Sequence, residues 1–161
     1  MQAPLNAFGG FWTQEKIEIF TKYLYAYLEI MKNQSFKLIY FDGFAGCGRI
    51  EAEKSGIQED SFIESVAIQV LSLKHSKVFD IYYMVDKHKS RSKALRKLVS
   101  EKFPHLNAHV VRSDCNEKLV GMADFMRKNV NYRALAFIDP FGMSLKWSSL
   151  EACSKLGIDM W

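Results

Sequence analysis

Apolar residues along this chain fall into two rhythms that take turns. Leu38, Ile39, Tyr40 and Phe41 form a short unbroken run after Lys37. Phe79 to Val85, Ala108 to Arg112 and Ala134 to Ile138 supply three more such runs, and Ile158 to Trp161 begins a fifth. Runs of this length, bounded by polar or turn-forming residues, predict buried strands. Between them the apolar residues recur at helical spacing. Ile17, Phe20, Leu24, Leu28 and Met31 predict a helix from Trp12-Thr13 to about Lys32, with Thr13 as its cap and Glu15 at its positive end. Ser61 to Glu64 reads as a capping box opening a second helix through Ile63, Val66, Ala67, Val70 and Leu71. Lys89 to Phe103 is a third, with Leu95, Leu98 and Val99 inward and Pro104 beyond its end. Glu117 to about Asn129 is a fourth, on Leu119, Val120, Ala123 and Met126, and Trp147 to Leu156 a fifth, closed by Gly157. Residues 1–11 read as a poorly structured lead, and Arg49 to Asp60, polar and containing Gly56, as an exposed loop. The aromatic residues Phe20, Tyr23, Tyr25 and Tyr27 read as packing.

Strands that alternate this regularly with helices predict a three-layer α/β fold: a parallel sheet, helices on both faces, right-handed crossovers. The whole chain, 1–161, reads as a single domain, a helical lead-in over 1–36 and a βαβ core over 37–161.

Composition changes this picture little. Hydrophobic content of 48% and charged content of 25% exclude disordered and fibrous classes. A net charge of +4 permits a nucleic-acid partner without diagnosing one. The three cysteines, Cys47, Cys115 and Cys153, are too widely spaced for C-x-x-C chemistry, and no secretory leader pattern opens the chain, so a reducing cytoplasm is expected. The apolar runs are of strand length, which predicts no membrane span. The four histidines show no metal-ligand spacing.

The chemistry concentrates after the first strand, where Asp42-Gly43-Phe44-Ala45-Gly46-Cys47-Gly48 places three glycines within six positions. Glycine lets a backbone turn tightly and approach a ligand closely, so a cofactor loop competes here with an ordinary tight turn. The glycine order is the reverse of the dinucleotide fingerprint, and Arg49-Ile50 replaces the Lys and Ser/Thr of a phosphate loop. A nicotinamide-dependent oxidoreductase is disfavoured on that ground. Asp42, Asp86, Asp114 and Asp139 all lie at or just past predicted strand ends, where parallel sheets bind ligands. Asp86 can accept both hydroxyls of a ribose, or can be an exposed acid answering Lys87 and Lys89. Asp114 with Glu117 also makes a capping pattern. Asp139-Pro140-Phe141-Gly142 can end a strand or present a substrate. Lys87 to Lys97 carries six basic residues, either a nucleic-acid patch or a solvated helix face.

The loop D-x-F-A-G-x-G resembles the first motif of the class I S-adenosylmethionine-dependent methyltransferases. That resemblance implies a loop around the cofactor's methionine and ribose, formed by Asp42, Gly43, Phe44, Ala45, Gly46 and Gly48. It further implies Asp86 on the ribose and Asp114 at the adenine amino group. Amino-methylating members carry an Asp or Asn, two prolines and an aromatic after the fourth strand. Asp139, Pro140 and Phe141 are similar, with one proline in place of two. The implied role of Asp139 and the Pro140 carbonyl is to accept hydrogen bonds from a target N–H, with Phe141 stacking on a flipped base. A cytosine-C5 route would need a cysteine directly after a proline, and Pro4, Pro104 and Pro140 precede none.

Trp12-Thr13 with Lys16, Phe41 to Gly48, Met84-Val85-Asp86, Asp114-Cys115-Asn116 and Phe137 to Gly142 together resemble the three-Cys-motif partner proteins, a bacterial methyltransferase-like family. This resemblance runs from Trp12 to Trp161. It implies a protein companion that carries the three-Cys motif. The expected activity is N-methylation of a nucleic acid, with a non-catalytic partner-binding module as the alternative. The family's seven-stranded sheet needs two or three strands more than this chain supplies, so the sequence is expected to be a truncated piece ending as the fifth strand begins.

Overall fold

The computed structural model describes residues 10–47, 49–50, 63–140 and 143–161 of the chain. Helix α1 (Gly10–Met31) leads into strand β1 (Lys37–Asp42), followed by β2 (Arg49–Ile50), β3 (Ile63–Glu64) and α2 (Val66–Leu71). Then come β4 (Ile81–Val85), α3 (Lys89–Lys102), β5 (Ala108–Val111), α4 (Cys115–Lys128), β6 (Tyr132–Phe137), α5 (Trp147–Ala152) and β7 (Ile158–Met160).

Five strands form one parallel sheet in the order β5-β4-β1-β6-β7, and β2 pairs antiparallel with β3 in a separate ladder. Counting only the five, the order is 3-2-1-4-5, which is the Rossmann-like arrangement. It follows from the apolar runs: β1 buries every residue after Lys37, and the last four residues of β6 are buried too. A strand apolar on both faces needs a helix layer on each, and the core accordingly divides in two. Phe20, Leu24 and Leu28 of α1, with Leu95 and Val99 of α3, pack on Leu38, Tyr40, Met84 and Leu135 on one side. Leu119, Met122, Ala123 and Met126 of α4 pack on Ile39, Phe41, Ala134 and Ala136 on the other. Phe20, Tyr23 and Tyr27 are packing residues as expected; Tyr25 is exposed, its ring edge against His75.

Several boundaries differ from the sequence expectation. Helix α1 begins at Gly10, so Thr13 lies inside it and does not cap it. Ile63 and Glu64 belong to a strand paired with Arg49 and Ile50, and α2 starts behind Ser65, whose extended backbone (ψ 160°) stops the helix from reaching back. The proposed capping residue Ser61 and most of the expected loop, residues 51–60, lie outside the described residues, while Arg49 and Ile50 are strand. Strand β4 starts at Ile81, not Phe79. Helix α4 starts at Cys115; Leu119, Ala123 and Met126 are inward as expected and Met122 joins them, while Val120 is exposed. Strand β6 runs from Tyr132 to Phe137. Helix α5 stops at Ala152, so Gly157 is not its terminator. Gly157 is a glycine for another reason: a Cβ there would run into the Arg133 side chain, whose guanidinium lies 3.8 Å from the Phe36 ring centre. Among the described residues no helix is long and apolar enough to cross a membrane.

Candidate functional site: an acidic rim at the reversal of strand order

The sheet order reverses beside β1, with β4 on one side and β6 on the other. In open parallel sheets the crevice beyond such a reversal is where ligands bind. Asp42 ends β1 opposite Met84 of β4 and Phe137 of β6. Asp86 and Asp139 each lie two residues beyond those partners, so the register itself brings three carboxylates to one rim.

The loop after β1 is shaped from within. Asp42 Oδ1 accepts a hydrogen bond from the Phe44 N–H (3.1 Å), and Oδ2 accepts one from the Tyr40 hydroxyl (3.1 Å). The Gly43 N–H donates to the Phe137 carbonyl (3.1 Å) and the Ala45 N–H to the Val85 carbonyl (2.9 Å), lashing the loop across all three strands. The Gly46 N–H donates to Asp86 Oδ2 (3.1 Å). Two glycines are required here for separate reasons. Gly46 sits at φ +69°, and a Cβ on Gly43 would collide with Cys115 Sγ and press on Ile138. The four amides from Gly43 to Gly46 therefore all donate to the protein itself. A ligand would meet the loop through its glycine Cα faces and its carbonyls.

Asp86 is buried and faces the loop, not solvent, which removes the alternative of an exposed acid answering Lys87 and Lys89. Its Oδ1 accepts from the His88 N–H (2.7 Å), and the Arg91 Nε straddles both oxygens at 3.2 and 3.0 Å. Asp139 is half exposed and ion-paired to Lys16 of α1 at 2.6 Å. Asp114 caps α4: its Oδ1 accepts from the Asn116 N–H (2.9 Å) and side-chain amide (3.0 Å), and its Oδ2 lies 3.6 Å from the Lys87 amine. Burial raises its pKa, but the Asn116 bonds and Lys87 outweigh that and leave it below the ordinary carboxylate range.

The rim's electrostatics centre on Asp42. Burial pushes its pKa up, the Phe44 and Tyr40 hydrogen bonds pull it down, and the charges of Asp139 and Asp86 push it up again, to about 7. Burial, with the adjacent Asp42, drives the Tyr40 phenol well above its ordinary value. The Cys115 thiol, pressed beneath Gly43, is pushed up to about 12, chiefly by burial, and is not a nucleophile.

Direct bonds thus join Asp42, Phe44, Gly46 and Asp86, with Gly43 and Ala45 held between them, and Asp139 acts on this group through its field. Asp114 stands apart from this group, near it through Lys87, the neighbour of Asp86, and through Cys115 beneath Gly43. Pro140 is partly exposed after β6, while Gly48 and Phe141 lie outside the described residues. Three residues that pattern reading did not put at the site also matter: Arg91, Lys16 in its pairing with Asp139, and Asn116. The Asn116 side chain donates to the Ser144 carbonyl (2.9 Å) and accepts from the Lys146 N–H (2.7 Å), pinning the segment after Asp139 to the start of α4.

An α/β domain with a five-stranded, all-parallel, Rossmann-like sheet and a carboxylate-lined rim is the class these observations define. No protein-family model and no curated protein matches the chain. Among solved structures, the crystal structure of protein LPL1258 from Legionella pneumophila, of family DUF519, superposes with a TM-score of 0.50 at 16% identity. The match covers 81% of this chain and 57% of that one, so the chain spans little more than half of its length. The likeness extends to the fold alone.

Proposed function

We propose that the rim binds S-adenosylmethionine and that the chain is a methyltransferase acting on an amino nitrogen, with nucleic acid as the acceptor class. One observation carries this reading: Asp42, Asp86 and Asp139 converge where the strand order reverses, against two facing cations, Lys16 and Arg91. One uncompensated carboxylate beside a glycine loop suits a cationic ligand. The residues fit the cofactor with one displacement: to accept two ribose hydroxyls, Asp86 must release Arg91. The Arg91 side chain is 41% exposed and can swing out into water, while the buried Asp86 carboxylate would exchange its guanidinium bonds for those of the two hydroxyls and keep the His88 and Gly46 N–H groups. Gly43, Phe44, Ala45, Gly46 and Gly48 would line the methionine and ribose portion, and Asp114 would meet the adenine edge through the oxygen that now faces Lys87.

When bound, the cofactor supplies an electrophilic methyl on a sulfonium. The chain's own task is then positioning with charge stabilisation. Asp139 and the Pro140 carbonyl accept hydrogen bonds from the acceptor N–H, aiming the nitrogen lone pair. Lys16 holds the Asp139 carboxylate on its α1 side, leaving the second oxygen for the acceptor. Phe141 would stack on the base.

A second reading, a non-catalytic module for a protein companion with a three-Cys motif, is favoured by the Lys16–Asp139 pair, because it takes one oxygen and part of the charge of the presenting carboxylate. Calorimetry with the cofactor, followed by methyl transfer to mixed RNA and DNA, separates the two. Binding with transfer that falls at least 100-fold in Asp139→Ala is the expected result. Binding without transfer in wild type selects the module, and NADH binding in place of the methyl donor returns the oxidoreductase.

A further inference from the structure

Only part of the basic run after β4 is spent on the rim. Lys87 to Ser100 holds six basic residues and no acid. Of these, Arg91 turns inward to Asp86, Lys87 lies 3.6 Å from Asp114, and Lys97 lies 3.9 Å from Glu101. Lys89, Lys93 and Arg96 are exposed, and among the described residues no carboxylate lies within ion-pairing distance of them. Positions 89, 93 and 97 repeat every fourth residue on α3, so their Cα atoms follow one stripe about 6 Å apart along the axis. That spacing lets successive lysines meet successive phosphates of one strand.

The stripe leads to a second feature. Arg96 Nε and Nη2 donate to the Val110 carbonyl at 3.3 and 3.0 Å, clamping the guanidinium onto the edge strand β5. Beside it a hollow of about 310 Å³ opens between α3 and β5, lined by Val99, Phe103, Pro104, Leu106 and Val110. A held arginine at the mouth of an apolar hollow, at the end of a lysine stripe, combines the two elements of single-strand binding: charge for the backbone and an apolar or planar surface for a base. A duplex, which hides its base faces, can use only the first.

We infer that single-stranded nucleic acid lies along α3, its phosphates on Lys89, Lys93 and Lys97 and one base over the hollow beside Arg96. This deepens the nucleic-acid reading of the rim by saying where the acceptor strand is held. Lys89 stands at the rim end of the helix, so a strand so held runs into the crevice.

The test is fluorescence anisotropy of a labelled 20-nucleotide single strand on the full chain without cofactor, across a salt series. Replacing Lys89, Lys93 and Lys97 together by alanine should weaken binding at least tenfold. At about 0.7 per phosphate contact, the salt slope should fall by about 2. The matched triple Lys22→Ala, Lys74→Ala and Lys128→Ala removes equal charge from exposed sites elsewhere and should change binding less than threefold. Equal loss in both triples overturns the inference. So does an abasic strand, polyglutamate or an anionic vesicle binding as tightly as the oligonucleotide. Intact binding with no methyl transfer would leave this inference standing while the catalytic reading fails; transfer that survives the stripe triple unchanged would do the reverse.

Discussion

Asp42 is the residue on which the rim turns, and its chemistry has a definite sign. Its pKa rises from 3.8 to about 7 on folding, so between those values the folded chain holds a proton that the unfolded chain has lost. Asp42's contribution to stability is therefore complete below about pH 4 and declines as pH rises through 7, by up to about 1.4 kcal/mol per pH unit. Asp42→Asn keeps an acceptor for the Phe44 N–H and removes the titration. Urea denaturation from pH 4 to 8 should show the variant's stability staying flatter than wild type, and parallel curves would refute the raised pKa. A cation at the rim favours the charged carboxylate, so cofactor affinity should rise between pH 6 and 8 in wild type and lose that rise in Asp42→Asn. The residue type and place of Asp42 were legible in the sequence, as a strand-ending acid before a glycine loop. Its partners were not: Arg91 reads as one more base in a solvated run, and Lys16 and Asp139 are separated by 123 positions.

Among the elements, α4 ties the rim together. Its cap, Asp114, was foreseen from the Asp-x-x-Glu pattern, yet the bonds that form use Asn116, and Glu117 instead accepts from the Ser113 hydroxyl at 3.3 Å. Asn116 is buried and holds the segment after β6 at two points, so Asn116→Ala should cost about 1–3 kcal/mol in chemical denaturation through the groups it leaves unpaired. The same variant should lower methyl transfer more than cofactor affinity, because the segment it releases follows Asp139, not the glycine loop. An unchanged denaturation midpoint would show that the two bonds contribute nothing net. Helix periodicity located α2 but misplaced its start. Ile63 satisfies the i, i+3 spacing with Val66, but pairing across to Ile50 wins over extending a short helix, and spacing within a segment cannot report a partner thirteen residues away.

At the scale of the whole molecule, the parallel sheet was readable because each strand is apolar enough to be buried on both faces. The placement of four acids at strand ends followed from that alone. Their inequality did not: Asp86 is enclosed, Asp139 half open and Asp114 spent on a cap, and those differences arise from packing between elements. The same packing separates charge. The net +4 of the chain coexists with three carboxylates gathered at the crevice and with a run of cations on the flank beside it. Raising salt from 50 to 200 mM should therefore weaken oligonucleotide binding by well over tenfold while changing cofactor affinity less than threefold, as paired titrations would show.

That separation makes the surface a filter. From flank to crevice the charge changes sign within a few residues, so a polyanion is gripped along the side of the domain and offers the mouth only an uncharged base, whereas a small cation is drawn inward. Two ligands of opposite charge could then arrive in either order without competing for the same ground, each oriented before first contact.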